Sequence, residues 1–209
     1  MKRRVGVLLS GRGSNFSALL AATRMPGFPA EIVCVVANVA DAGGLDTARA
    51  AGVACTAIDH RPYRGDRSAH EVAIARVLDE SGVELVCLAG YMRKLSPLLV
   101  GRFAGRMLNI HPSLLPAFPG LHTHERALAA GVKLHGCTVH LVTDSLDDGP
   151  ILAQAAVPVL PGDTPESLAA RVLVQEHVIY PAALAAFAGG VTPTAAEESA
   201  RLCNPRPLA

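Results

Sequence analysis

The chain has no pair of cysteines at C-x-x-C spacing, no excess of basic over acidic residues and no apolar run long enough to span a membrane. Each absence removes a class of function. Its five cysteines, Cys34, Cys55, Cys87, Cys137 and Cys203, are odd in number. Cys34, Cys87 and Cys137 sit inside apolar runs, where cysteine behaves as a small hydrophobe, so neither disulfides nor zinc are expected. Nineteen basic against eighteen acidic residues leave a net charge of +1, without the basic stripe that nucleic acid binding needs. The longest apolar run, around Glu84–Gly90, is far below the roughly 20 residues of a bilayer span. Met1-Lys2-Arg3-Arg4 carries the charges of a signal peptide, yet the apolar segment behind it stops at Ser10-Gly11 after five residues. A cytoplasmic protein is expected, acting on small molecules, with no nucleic acid and no membrane as partner. Internal repeats and low-complexity segments are also missing.

What is present is a core. Half of the 209 residues are hydrophobic and 18% are charged, which suits one α/β domain. Short apolar runs at Val5–Leu9, Glu31–Ala37, Val53–Ile58, Glu84–Ala89 and Arg106–Ile110 read as strands. Between them, helical composition appears at Phe16–Ala22, Gly44–Ala51 and Arg67–Glu80, the last capped by Asp66 and buried through Val72, Ala75, Val77 and Leu78. Ser96-Pro97 opens a short helix. Strands that are apolar on both faces and alternate with helices imply a single open, mostly parallel twisted sheet with helices on both faces. Further on, Thr123–Ala130 reads as a helix, Gly136–Thr143 and Ile151–Leu160 as strands. Thr164-Pro165-Glu166 starts a helix expected to end or kink at Pro181. Residues 1–190 form the expected domain and 191–209 a loosely packed tail.

Three loops stand out at the carboxyl ends of these strands, where ligands of open parallel sheets bind. Ser10-Gly11-Arg12-Gly13-Ser14-Asn15 links a strand to a helix and would offer backbone N–H groups and a helix N-terminus to an anion. It is neither the dinucleotide fingerprint, since Phe16 stands at the third glycine, nor a Walker A loop. An ordinary turn with Ser14 or Asn15 as the helix cap is the plain alternative. The second loop is Gly90-Tyr91-Met92-Arg93-Lys94-Leu95. The third begins Asn109-Ile110-His111-Pro112, where strand alternation puts the amide and the imidazole on one side and Pro112, Pro116 and Pro119 stiffen the chain beyond them.

An imidazole that moves protons, an amide that donates to an oxyanion and a carboxylate that orients the ring make a minimal set for acyl chemistry. Asn109 and His111 supply two members, and the loop Asp144-Ser145-Leu146-Asp147-Asp148 is the nearest source of the third. No G-x-S-x-G elbow occurs, which favours a substrate that brings its own nucleophile. Without H-E-x-x-H or paired cysteines, no metal is expected at His111, His122, His124, His135 or His140. His122 and His124 read as a helix-cap region, His135 and His140 as satisfied strand residues, and Glu176-His177 as a solvated helix face unless that helix end turns into the crevice.

The run from Leu108 to His124, with Gly11-Arg12-Gly13-Ser14-Asn15 and Leu146-Asp147-Asp148-Gly149-Pro150, resembles the phosphoribosylglycinamide formyltransferases over about Val5–Phe187. That resemblance implies a Rossmann-like formyltransferase fold and transfer of a formyl group from 10-formyltetrahydrofolate to glycinamide ribonucleotide in purine biosynthesis. It implies His111 as general acid/base, Asn109 as the amide that polarises the formyl oxygen, and Asp147 as the carboxylate that holds His111 and raises its pKa. Gly13, Ser14 and Asn15 would bind the ribonucleotide phosphate, and Glu176 would face the glycinamide end. Met92, Arg93, Lys94 and Leu95 would line the folate pocket, with Arg67 nearby. Formyltetrahydrofolate deformylase, with an added N-terminal regulatory domain, shares the signature and is the alternative. Methionyl-tRNA formyltransferase, with a C-terminal tRNA-binding domain, shares it too, and neither added domain is expected here. A homodimer is compatible with the sequence, which does not fix the oligomeric state.

Overall fold

A computed structural model describes residues 1–63 and 66–190; the expected tail at 191–209 lies outside the described residues. Seven strands form one sheet in the order β3-β2-β1-β4-β5-β6-β7. They are β1 (Arg3–Leu9), β2 (Ala30–Ala37), β3 (Ala54–Ala57), β4 (Leu85–Leu88), β5 (Met107–His111), β6 (Leu134–Leu141) and β7 (Ile151–Pro158). The helices are α1 (Ser14–Thr23), α2 (Gly43–Ala50), α3 (Arg67–Glu80), α4 (Pro97–Arg102), α5 (Thr123–Ala129) and α6 (Pro165–Ala188). The first five strands pair in parallel, and β5–β6 and β6–β7 are antiparallel. The mostly parallel open sheet is thus the observed architecture.

Both faces are covered. One core joins Val5, Val7, Leu9, Cys87, Leu108 and Ile110 to Phe16 and Leu19 of α1 and to Ile179 and Tyr180 of α6. The other joins Leu8, Val36, Val86 and Met107 to Ile74 and Leu78 of α3 and to Leu99 of α4. Cys34, Cys87 and Cys137 are buried and free. No helix among the described residues is long and apolar enough to cross a membrane.

Three local expectations are corrected. Helix α6 does not stop at Pro181 but continues to Ala188. Proline forfeits one backbone hydrogen bond, while Ile179, Tyr180, Ala183 and Leu184 around it are buried. The Tyr180 hydroxyl also reaches the Leu88 and Leu108 carbonyls, at 3.0 and 3.1 Å, pinning the helix across β4 and β5. In α3, Val72 is 54% exposed, and His70 and Glu71 are buried in its place. Polar partners make this possible: His70 Nε2 donates to the Ile58 carbonyl at 2.8 Å, and Glu71 accepts from Ser96. Finally, neither Ser14 nor Asn15 caps α1. The cap is Gly13, at φ 77°, and no side chain accepts from the first-turn N–H groups as a cap.

Candidate active site

Strand alternation brings Asn109 and His111 to the carboxyl end of β5, and the reversal of direction at β6 sets His140 directly opposite Asn109. The loop after β6 then returns Asp147 to the same place. Its carboxylate lies between two imidazoles, with Oδ2 3.5 Å from His111 Nδ1 and Oδ1 3.9 Å from His140 Nε2. Asp147 is held there on a left-handed backbone at φ 52°, and its Oδ2 also accepts from Gly120 N at 2.8 Å. Nearby, Gly149 packs so closely on β6 that a Cβ there would sit 1.7 Å from the Leu141 carbonyl oxygen. Asp148, the neighbouring carboxylate, is exposed.

The proton positions are set by partners that can only accept. His140 Nδ1 lies 3.0 Å from the Leu141 carbonyl and must donate to it, so in the neutral ring Nε2 carries a lone pair. Burial holds the His140 pKa below the ordinary histidine value, which keeps that ring neutral. Asn109 Nδ2 therefore donates to His140 Nε2 at 3.1 Å, which fixes the amide's orientation and leaves its second N–H for a ligand. His111 Nε2 donates to the Phe118 carbonyl at 3.1 Å. Phe118 itself has φ 53°, an unusual backbone for a bulky residue. His111 is only 6% exposed and stands behind the wall of the cleft, whose lining includes Asn109, His140 and Asp147.

Two further loops border this centre. Arg93, Lys94 and Leu95 line the cleft with Tyr91, Leu88 and the 142–147 segment. The glycine turn lies on the neighbouring strand and is tied to that loop through Ser10, whose N donates to Gly90 O at 3.1 Å and whose Oγ accepts from Met92 N at 2.8 Å. No side chain caps the first turn of α1, and the N–H groups of such a helix end suit an anion. Asn15 Nδ2 donates to Glu176 Oε2 at 2.6 Å, while its buried Oδ1 has no partner among the described residues. Burial pushes the Glu176 carboxyl above the ordinary carboxylate range.

A family model for formyl transferases matches residues 3–184. The chain belongs to the formyl transferase family. It is 46% identical, over 88% of its length, to the phosphoribosylglycinamide formyltransferase of Escherichia coli K12, of which it covers 86%. With the trifunctional purine biosynthetic protein adenosine-3 of Bos taurus it shares 48% identity over 97% of its length, but it spans only 20% of that protein. The crystal structure of phosphoribosylglycinamide formyltransferase from Brucella melitensis aligns at a TM-score of 0.86 and 57% identity, covering 93% of this chain and 100% of that one.

In this formyl transferase the expected residues fall into two groups. Asn109, His111 and Asp147 meet, and Arg93, Lys94 and Leu95 share their cleft. Gly13, Ser14, Asn15 and Glu176 form a second cluster at the foot of α1. Glu176 is 7% exposed, so its reading as a solvated face is overturned. Met92 and Arg67 are not among the residues lining the cleft: Met92 is 73% exposed, and Arg67 is exposed at the start of α3. His140, by sequence an ordinary strand residue, belongs to the centre instead. The alternation of Thr138, His140 and Val142 is the available signal, but only the antiparallel register reveals which side chain faces Asn109.

Proposed function

We propose that this formyl transferase passes a formyl group from 10-formyltetrahydrofolate to the amine of glycinamide ribonucleotide, a step of purine biosynthesis, in the cytoplasm. The reading rests above all on one observation, that His111 and His140 flank Asp147 beside a cleft and His140 holds Asn109. The glycine turn would hold the ribonucleotide phosphate through Gly13, Ser14 and Asn15, with the α1 dipole favouring negative charge. The partnerless Asn15 Oδ1 and the buried Glu176 supply acceptors suited to the glycinamide N–H groups. Arg93, Lys94 and Leu95 would seat the folate.

The amine attacks the formyl carbon, a C–N bond forms, and the carbonyl electrons move onto oxygen. Asn109 donates its free N–H to that oxyanion. His111 takes part once Nε2 leaves the Phe118 carbonyl and the ring proton sits on Nδ1, facing Asp147: Nε2, now bearing the lone pair, accepts the proton lost by the amine and returns it to the folate nitrogen as the old C–N bond breaks. Asp147 orients the ring throughout. His140 holds Asn109 in the donating orientation. One such oxyanion donor is worth about 3 kcal/mol.

The test is to supply 10-formyltetrahydrofolate with and without glycinamide ribonucleotide. Formyl loss that requires the amine is the expected result. Equal loss in its absence would make the protein a deformylase and end the transfer reading.

A further inference from the structure

A buried carboxylate that the proposed formyl transfer leaves unused sits at the downstream end of the Arg93–Leu95 loop. Glu71, on the inner face of α3, is 1% exposed. A carboxylate taken out of water is costly unless donors meet it. Ser96 provides them: its backbone N–H lies 2.9 Å from Oε1 and 3.2 Å from Oε2, and its hydroxyl donates to Oε2. Ser96 is the N-cap of α4, a position where serine normally bonds to its own helix. Here its side chain makes no such bond. Its hydroxyl is turned back to α3 instead.

The location gives this contact its meaning. Ser96 directly follows Arg93, Lys94 and Leu95, which line the cleft beside Asn109, His140 and Asp147. The other end of that segment is fixed by Ser10 Oγ, which accepts from Met92 N. Arg93–Leu95 is therefore a short span between two tethers, and Glu71 is the acceptor at the downstream one.

We propose that Glu71 is a positioning residue that sets the folate-facing loop Arg93–Leu95 against the reacting centre by holding Ser96. This rests on the formyl-transfer reading above. Hydrogen bonds to a charged group are worth enough that weakening this one should raise the KM for 10-formyltetrahydrofolate about tenfold in Glu71→Gln and in Ser96→Ala. The kcat at saturating donor and the KM for glycinamide ribonucleotide should each stay within about twofold, a split that general damage to the fold would not produce. The double variant should cost less than the sum of the single ones, because the bond from the Ser96 hydroxyl to Oε2 is shared by both, while the backbone N–H of Ser96 still meets Glu71 in Ser96→Ala. Amide exchange should speed up at residues 92–95 and stay unchanged in β4 and β5. A folded, active Glu71→Gln protein with an unaltered donor KM would overturn the proposal. So would equal rises in both KM values, or full additivity in the double variant. A wild-type protein that transfers no formyl group would instead sink the functional reading, and this proposal with it.

Discussion

The two ends of the sheet work differently. On the parallel side, at β1 and β4, the loops offer mainly backbone: a glycine turn, an uncapped helix end, and a short segment tied through Ser10. On the antiparallel side, at β5 and β6, the side chains of Asn109, His111, His140 and Asp147 lie in contact. Parallel neighbours present successive loops along one edge and suit the gripping of ligands. Where the direction reverses, residues from two strands face each other in register, and a proton-transfer cluster can be assembled to within a fraction of an ångström. Changes on the antiparallel side should therefore lower kcat, and changes on the parallel side should raise KM or cost stability.

The largest expected effects test this division. His111→Ala and Asp147→Asn should each lower kcat by roughly a thousandfold or more, and Asn109→Ala by about a hundred- to a thousandfold, with the KM values for donor and acceptor little changed. Steady-state formyl transfer measures it; near-normal turnover in any one of the three would remove that residue from the cluster. His140→Ala should cost less, on the order of tenfold to a hundredfold in kcat, because it only releases the Asn109 amide. A KM effect without loss of kcat would move His140 to the binding side.

The next effect belongs to the glycine turn. An alanine at Gly13 would have to adopt φ 77°, and its Cβ would stand 2.9 Å from the Gly44 Cα. Gly13→Ala should lower Tm by several degrees and raise the KM for glycinamide ribonucleotide about tenfold, with kcat largely kept. The smallest effect is at Glu176. Burial raises its folded pKa above the unfolded one, so the native state favours the protonated acid. Stability from this group is complete at low pH and declines as pH rises from the ordinary carboxylate range through the folded pKa. Thermal melts of Glu176→Gln should match wild type near pH 4 and lie a few degrees higher near pH 8, even as acceptor binding weakens.

The sequence discloses most where the period of a strand or the chemistry of a turn acts locally. Asn109 and His111 are legible because two residues along a strand return to the same side. The Asp144–Asp148 loop is legible as a source of carboxylate, though only coordinates separate the inward Asp147 from the exposed Asp148. His140 is not legible as part of the site, since its place depends on pairing with a strand some thirty residues earlier. Glu71 escapes for a related reason: a hydrophobic period names Val72 for the interior, and nothing local says that Ser96 will arrive to satisfy a carboxylate one position earlier. Helix α6 runs past Pro181 because long-range packing around Tyr180 outweighs one lost backbone bond.

The Phe118 carbonyl on His111 also has a bearing on waste. An imidazole with one nitrogen bonded to that carbonyl and the other turned to a carboxylate has no free edge with which to strip a proton from stray water. Under the proposed formyl-transfer function, a one-carbon carrier waiting alone in the cleft would be spared futile hydrolysis.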